Sequence, residues 1–161
     1  MVDIPSIPGP LPFVGSPPLG FRFGVLFLAL GVVPNPIDIL FQKVAGLSTT
    51  IETQNVEEGG QNLYVQQLPQ RVQHGNLVLE RGMTVGSPLV IEFNLAMSLF
   101  TFKPSNVLVT LLDNTRIPIA SWLCIKAFPL KWSVSDLDAT SNTVVIETME
   151  LAYQRLQVIR L

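Results

Sequence analysis

The sequence predicts a mainly β chain with a single α-helix. Two observations carry that prediction. Apolar and β-branched runs of strand length recur from residue 21 onward, and Gly, Pro, Asn and Asp punctuate them. One helix start stands among them, at Gly86-Ser87-Pro88. A third observation concerns the surroundings of the fold. Only 14% of the residues are charged, against about 25% in an ordinary soluble domain.

Taken in order, residues 1–20 stand apart from the rest. Six prolines (Pro5, Pro8, Pro10, Pro12, Pro17, Pro18) fix φ and remove ladder donors, so an extended arm is expected. Two readings of it stand: a disordered tail, and an arm that lies on a neighbouring subunit through the apolar anchors Ile4, Ile7, Leu11, Phe13 and Val14, which a purely solvated tail would not need. Residues 21–161 are expected to form one β domain. Residues 21–30 read as a strand ended by Gly31 and Pro34. Residues 47–56 and 62–68 read as a hairpin around Glu57-Glu58-Gly59-Gly60-Gln61, because Gly-Gly accepts φ > 0. Pro69 is expected to stop the second of these strands. After a turn at His74-Gly75-Asn76, residues 77–81 form a strand closed by Gly82.

Residues 89–100 fit a helical stripe (Leu89, Phe93, Ala96, Met97, Phe100) and also an alternating strand. Ser87 as cap and Pro88 in the first turn decide for the helix. Residues 106–112 and 117–128 flank Asp113-Asn114-Thr115 as a hairpin, and residues 143–159 form a final β-type run.

Composition limits the partners. The chain has 161 residues and a formal net charge of −2; its mean hydropathy is +0.43. A monomer of this mass exposes roughly 8,000 Å². Its 22 charged side chains would each guard roughly 360 Å² of that area. A subunit that hides surface against copies of itself fits better. No basic excess suggests a nucleic-acid surface. The longest run without charge or Pro, residues 23–33, has eleven residues, short of the ~20 of a spanning helix. No signal-peptide pattern opens the sequence. The lone Cys124 cannot form an internal disulfide, in keeping with synthesis in a reducing cytoplasm.

Nothing in the sequence assembles a catalytic, metal or cofactor site. His74, the single histidine, lacks the Cys or carboxylate cluster of a zinc site and the serine elbow of a hydrolase. Cys124 lies in an apolar run and reads as a small buried hydrophobe. Glu147 and Glu150 are three apart, which on a strand places them on opposite faces, so a structural pairing with a neighbouring Lys or Arg is expected. Gly59-Gly60 and Gly82 are not followed by the Lys-Ser/Thr of a phosphate loop. Trp122 and Trp132 are expected in the core rather than in a ligand pocket.

Two segments resemble a known family. The first runs Leu68-Pro69-Gln70 to Gly75-Asn76 and Leu79-Glu80-Arg81-Gly82; the second includes Ala127-Phe128-Pro129-Leu130-Lys131-Trp132 and Ile146-Glu147-Thr148-Met149-Glu150-Leu151. Together they resemble the tail-tube proteins of contractile bacteriophages and of phage-tail-like extracellular contractile injection systems. Gln70 stands where that family often has Gly, and the Pro-rich arm is unlike many plain tube subunits.

The resemblance implies two packed antiparallel sheets forming a β-barrel-like sandwich with one flanking helix. It implies a non-enzymatic structural subunit whose hexameric rings stack around a hollow lumen, with sheath and baseplate or hub proteins as partners and room for lumenal cargo. Glu57, Glu58, Gly59, Gly60 and Gln61 would then be candidates for axial contact between rings. The alternatives are a specialised first ring that joins tube to baseplate, and a soluble β-barrel that binds cargo or ligand.

Overall fold

The computed structural model describes residues 20, 22–28, 41–56, 59, 60, 63–84 and 86–160. The arm anchors Ile4, Ile7, Leu11, Phe13 and Val14, the turn residues Gly31 and Pro34, and Glu57, Glu58 and Gln61 lie outside the described residues.

Nine strands and one helix follow in the order β1 (Phe23–Leu28), β2 (Lys43–Ala45), β3 (Thr49–Val56), β4 (Gln66–His74), β5 (Leu77–Gly82), α1 (Pro88–Leu99), β6 (Ser105–Leu112), β7 (Pro118–Val134), β8 (Ile146–Ala152) and β9 (Arg155–Arg160) among the described residues. All pairings are antiparallel. One sheet has the order β1-β6-β7-β9 and the other β7-β8-β5-β2. β7 belongs to both. Its first half pairs with β6 and β9, and its second half, from Phe128, pairs with β8. The sheets are therefore two layers joined by one strand, and among the described strands they do not close into a barrel.

Strand alternation builds the core. Leu77, Leu79 and Arg81 of β5 point inward, as do Glu147, Met149 and Leu151 of β8. They meet Val25, Val107, Val109 and Cys124 from the facing sheet, while Leu89 and Phe93 of α1 close the cluster. Each of the Val, Leu, Met and Phe side chains in this cluster contributes about 1.5–3 kcal/mol on leaving water.

The helix forms as the cap predicts. Ser87 is extended (φ −70°, ψ 121°) and its Oγ accepts the Val90 N–H at 3.4 Å. Pro88 fills the first turn, and Phe100 ends the helix in the left-handed region at φ 51°. Leu89, Phe93 and Ala96 are its buried face.

Three strand expectations are corrected. Pro69 does not stop β4, which continues to His74. The ladder slips between Ile51 and Thr53, so Pro69 sits at a bulge in a two-stranded ribbon, where a missing N–H is tolerated. The strand beginning at residue 117 does not end at residue 128. β7 passes Pro129 at a second slip, between Pro129 and Lys131. The single run at 143–159 is two strands, broken at Tyr153-Gln154 where the chain changes sheets.

The change of sheet within β7 occurs at Lys126, which adopts φ 53°. Two residues of β7 oppose Asn106 there, and Asn106 Oδ1 accepts the Lys126 N–H at 3.0 Å. A bulge with a left-handed residue turns the strand enough to enter the second layer.

Candidate assembly surfaces

The polar groups that sequence reading singled out are structural. Arg81 and Glu147 are register partners on the inward faces of β5 and β8. Arg81 Nε donates to Glu147 Oε2 at 3.3 Å, and Nη2 donates to Ser87 Oγ at 2.7 Å. The guanidinium carbon lies 5.4 Å from the centroid of the Phe41 ring. This network ties the helix cap to the sheet. Glu150 points to the other face, as strand spacing requires, and accepts from Asn76 Nδ2 at 2.7 Å. The two glutamates therefore cannot flank one bond.

His74 ends β4. Its Nδ1 is hydrogen-bonded to Thr49 Oγ1 at 3.1 Å, and its ring packs on Tyr153 at 5.4 Å between centroids. The Tyr153 hydroxyl donates to the Gly46 carbonyl at 3.1 Å. These contacts anchor the base of the β3–β4 ribbon to the body. Cys124 is fully buried, and burial pushes its thiol up to about 11, so it is no thiolate nucleophile at neutral pH. Trp122 and Trp132 pack against the core. Among the described residues, no group of three or more His, Cys, Asp or Glu is placed to hold a metal ion. No described helix is long and apolar enough to cross a membrane.

Two surfaces remain incompletely covered. The first is the β3–β4 ribbon, whose strands pair only with each other among the described residues. Nearly every residue in it is exposed. Its two faces differ. Gln73 Nε2 donates to Glu52 Oε1 on one face, where Gln70 Nε2 also donates to Gln54 Oε1 at 2.7 Å. Ile51 and Val72 are directly opposed on the other face, 57% and 58% exposed. An isolated two-stranded ribbon is marginal in water, and this one presents an apolar pair to it. Gly60, in the connection between β3 and β4, takes φ 97°, a conformation that favours glycine.

The second is α1. Leu89, Phe93 and Ala96 face the core, yet Ile91, Leu95 and Leu99 form an exposed stripe on another face. A helix apolar on most sides belongs in an interior. Beside it runs an open groove of about 530 Å³, lined by Phe27, Leu89, Ala127, Pro129 and Leu151, with Glu92 and Lys103 among its polar residues.

Sequence reading expected a hairpin here but missed its exposed apolar pair and the groove. The alternation around Ile51 and Val72 was a usable signal. The groove had none, because it joins residues from five elements.

Residues 19–157 match the family model of the T4-like virus tail tube protein gp19. The chain belongs to that family. It is a structural tail-tube subunit. Among solved structures, this tail-tube protein is similar to a chain of the anti-feeding prophage baseplate, 6-fold symmetrised, at 40% identity and a TM-score of 0.84, covering 91% of this chain and 97% of that one. It is also similar to a chain of the anti-feeding prophage cap that terminates the tube (24% identity, TM-score 0.79, 97% and 99% covered). A third similar chain is from the PVC sheath–tube complex of an extracellular contractile injection system in the extended state (21%, TM-score 0.77, 92% and 95% covered). No curated protein matches significantly. The parts of those two segments that form β5 and β8 lie side by side, joined by Arg81–Glu147 and Asn76–Glu150, while Leu68-Pro69-Gln70 lies in β4 and residues 127–132 in β7.

Proposed function

We propose that this tail-tube subunit closes into hexameric rings that stack around a hollow lumen inside the sheath of a contractile injection particle. The observation that carries the reading is the β3–β4 ribbon: it projects the exposed Ile51–Val72 pair, which its own chain leaves uncovered among the described residues. The 6-fold symmetry of the 40% identical relative's assembly supports six copies per ring. Head-to-tail stacking is heterologous and does not close, so rings propagate into a tube. Many strand ladders and apolar contacts resist axial load without moving parts, and sparse charge suits surfaces that become interface cores.

In this reading the subunit performs no catalysis of its own. Residues 21–161 are the ring-forming domain, and residues 1–20 are an arm laid on a neighbour through Ile4, Ile7, Leu11, Phe13 and Val14. The tip at Glu57, Glu58, Gly59, Gly60 and Gln61 meets the next ring. Synthesis is in the bacterial cytoplasm, and sheath and baseplate or hub proteins are the partners, with cargo carried in the lumen.

A second reading, a specialised first ring at the baseplate, is favoured by one observation. Identity is 40% to the baseplate chain and 21% to the sheath–tube chain. Electron microscopy of the purified protein tests the main reading. Rings or tubes support it; protein that stays monomeric at high concentration overturns it. Copy number per particle, counted by labelling this chain, separates the repeated ring from the first ring.

A further inference from the structure

We infer that the groove between α1 and the sheets receives the Pro-rich arm of a neighbouring copy, centred on Pro8-Gly9-Pro10-Leu11-Pro12-Phe13. The inference rests on the proposed ring assembly and specifies where the arm lands.

The groove has the features of a peptide site. Its volume of about 530 Å³ lies within the ~300–1,000 Å³ of pockets that bury a ligand. Its wall is mainly apolar: Phe27, Leu89, Phe93, Ala127 and Leu151, with Pro129. The outer lip is α1, which adds Leu95 and Leu99 to the wall. Proline-rich segments suit such grooves. Their φ is already restricted, so docking costs little further entropy, and extended backbone presents side chains on several sides. Residues 1–19 hold one charged side chain, Asp3, so the arm brings little charge into an apolar site.

The path of the chain selects a neighbour's groove over the arm's own. β1 runs from Phe23 toward Leu28, and Phe27 lines the groove. Arg22 lies at the other end of β1, where its carbonyl accepts the Leu112 N–H at 2.8 Å. Phe27 is five steps along the strand from Arg22, about 17 Å at ~3.4 Å per residue. The arm thus joins the body at the end of β1 remote from the groove. To enter its own groove it would have to reverse and retrace that length. Continuing outward, nineteen residues of polyproline geometry reach up to ~59 Å at 3.1 Å per residue, enough to cross an adjacent subunit.

Cross-linking in assembled particles tests this. Leu11→Cys and Leu95→Cys variants, distinguished by tag mass, are mixed, co-assembled and treated with a short bismaleimide. Native Cys124 is fully buried and its thiol is held protonated, so it stays silent. The expected result is a heterodimer at least about tenfold more abundant than the cross-linked product of either variant alone, because docking holds the two thiols at mM effective concentration. Two results overturn the inference: no heterodimer, or cross-linking confined to single chains of a Leu11→Cys/Leu95→Cys double variant. Micrographs of the same samples separate the failures. Rings without heterodimer remove the arm placement alone; absence of both removes the ring reading as well. Leu95→Ser/Leu99→Ser serves as a second variant. It alters exposed side chains only, so folding measured by circular dichroism should hold while cross-linking from the arm to a Glu92→Cys site falls by the same factor.

Discussion

Arg81 and Glu147 oppose each other across β5 and β8, with Nε 3.3 Å from Oε2 and both side chains 2% exposed. Neither group touches solvent, so the pair acts as one unit with the Ser87 hydroxyl. Removing Glu147 takes from Arg81 a buried carboxylate acceptor. Glu147→Ala should lose about 1.5–3 kcal/mol of folding stability, the range for a hydrogen bond to a charged group. The double change Arg81→Met/Glu147→Leu should lose less than Glu147→Ala alone. Urea unfolding at one fixed protein concentration checks both, since assembly makes apparent stability depend on concentration.

Ser87 has two roles, helix cap and acceptor for Arg81. Ser87→Ala should therefore exceed the ~1 kcal/mol of an ordinary cap loss. Ser87→Thr, which keeps the hydroxyl, should recover most of the difference in the same unfolding measurement.

Cys124 predicts a pH dependence. Its thiol is pushed to about 11 in the folded chain by burial. The unfolded thiol titrates near ~8.5. Between those values the unfolded state has lost its proton and the folded state has kept it, so stability falls as pH rises. The contribution is nil below about pH 8 and reaches at most ~3 kcal/mol near pH 11. Unfolding curves of the parent chain and Cys124→Ala, compared from pH 8 to 11, isolate it. An equal slope for both would rule the effect out.

Gly46 has φ +84°, and an added Cβ would lie 1.7 Å from the Asn76 carbonyl oxygen. Gly46→Ala combines left-handed strain of ~1–2 kcal/mol with that clash. It should cost more than ~2 kcal/mol and loosen the His74–Tyr153 junction beneath the ribbon. Hydrogen exchange across β3 and β4 reports the second effect, as a rise in rates confined to the ribbon.

Ile51 and Val72 form the exposed apolar pair of the ribbon. Ile51→Lys/Val72→Lys should change monomer stability by less than ~0.5 kcal/mol per site, as exposed substitutions do. It should abolish ring formation by electron microscopy. Rings that persist would remove the ribbon's apolar face from the interface.

What could be read from residues alone depended on how local its cause was. Ser87-Pro88 sets a helix start within one turn, and the helix is where that pair placed it. Gly59-Gly60 marks a connection between two strands, and β3 and β4 do pair, but the return strand begins at Gln66 rather than at residue 62, because the paired ends Val56 and Gln66 leave nine residues between them. The inward parity of Leu77, Leu79 and Arg81 was latent in the alternation. Which residue opposed Arg81 was not, because β5 and β8 are 63 residues apart at their nearest ends (Ile146 after Gly82, 146 − 82 = 64 positions on). Pro69 misled for the same reason, and the strand expected to end at residue 128 runs on through Pro129. A proline stops a regular ladder, but both sit at slips whose existence depends on the partner strand. β2, three residues long, pairs with β5 through Lys43–Glu80 and has too little pattern to detect. The groove beside α1 belongs to no segment and becomes visible only once both sheets are in place.

The strand shared by both sheets also constrains how the chain is made. β1 cannot be secured until β6 exists, and β5 waits for β8. β7 gains its remaining neighbours only from β8 and β9. On the ribosome, β5 and β7 therefore emerge before β8, the strand that pairs with both. Non-local pairing of this kind folds slowly. Until β8 and β9 appear, β7 keeps unpaired edges, so assembly should start from finished subunits rather than from chains still being translated.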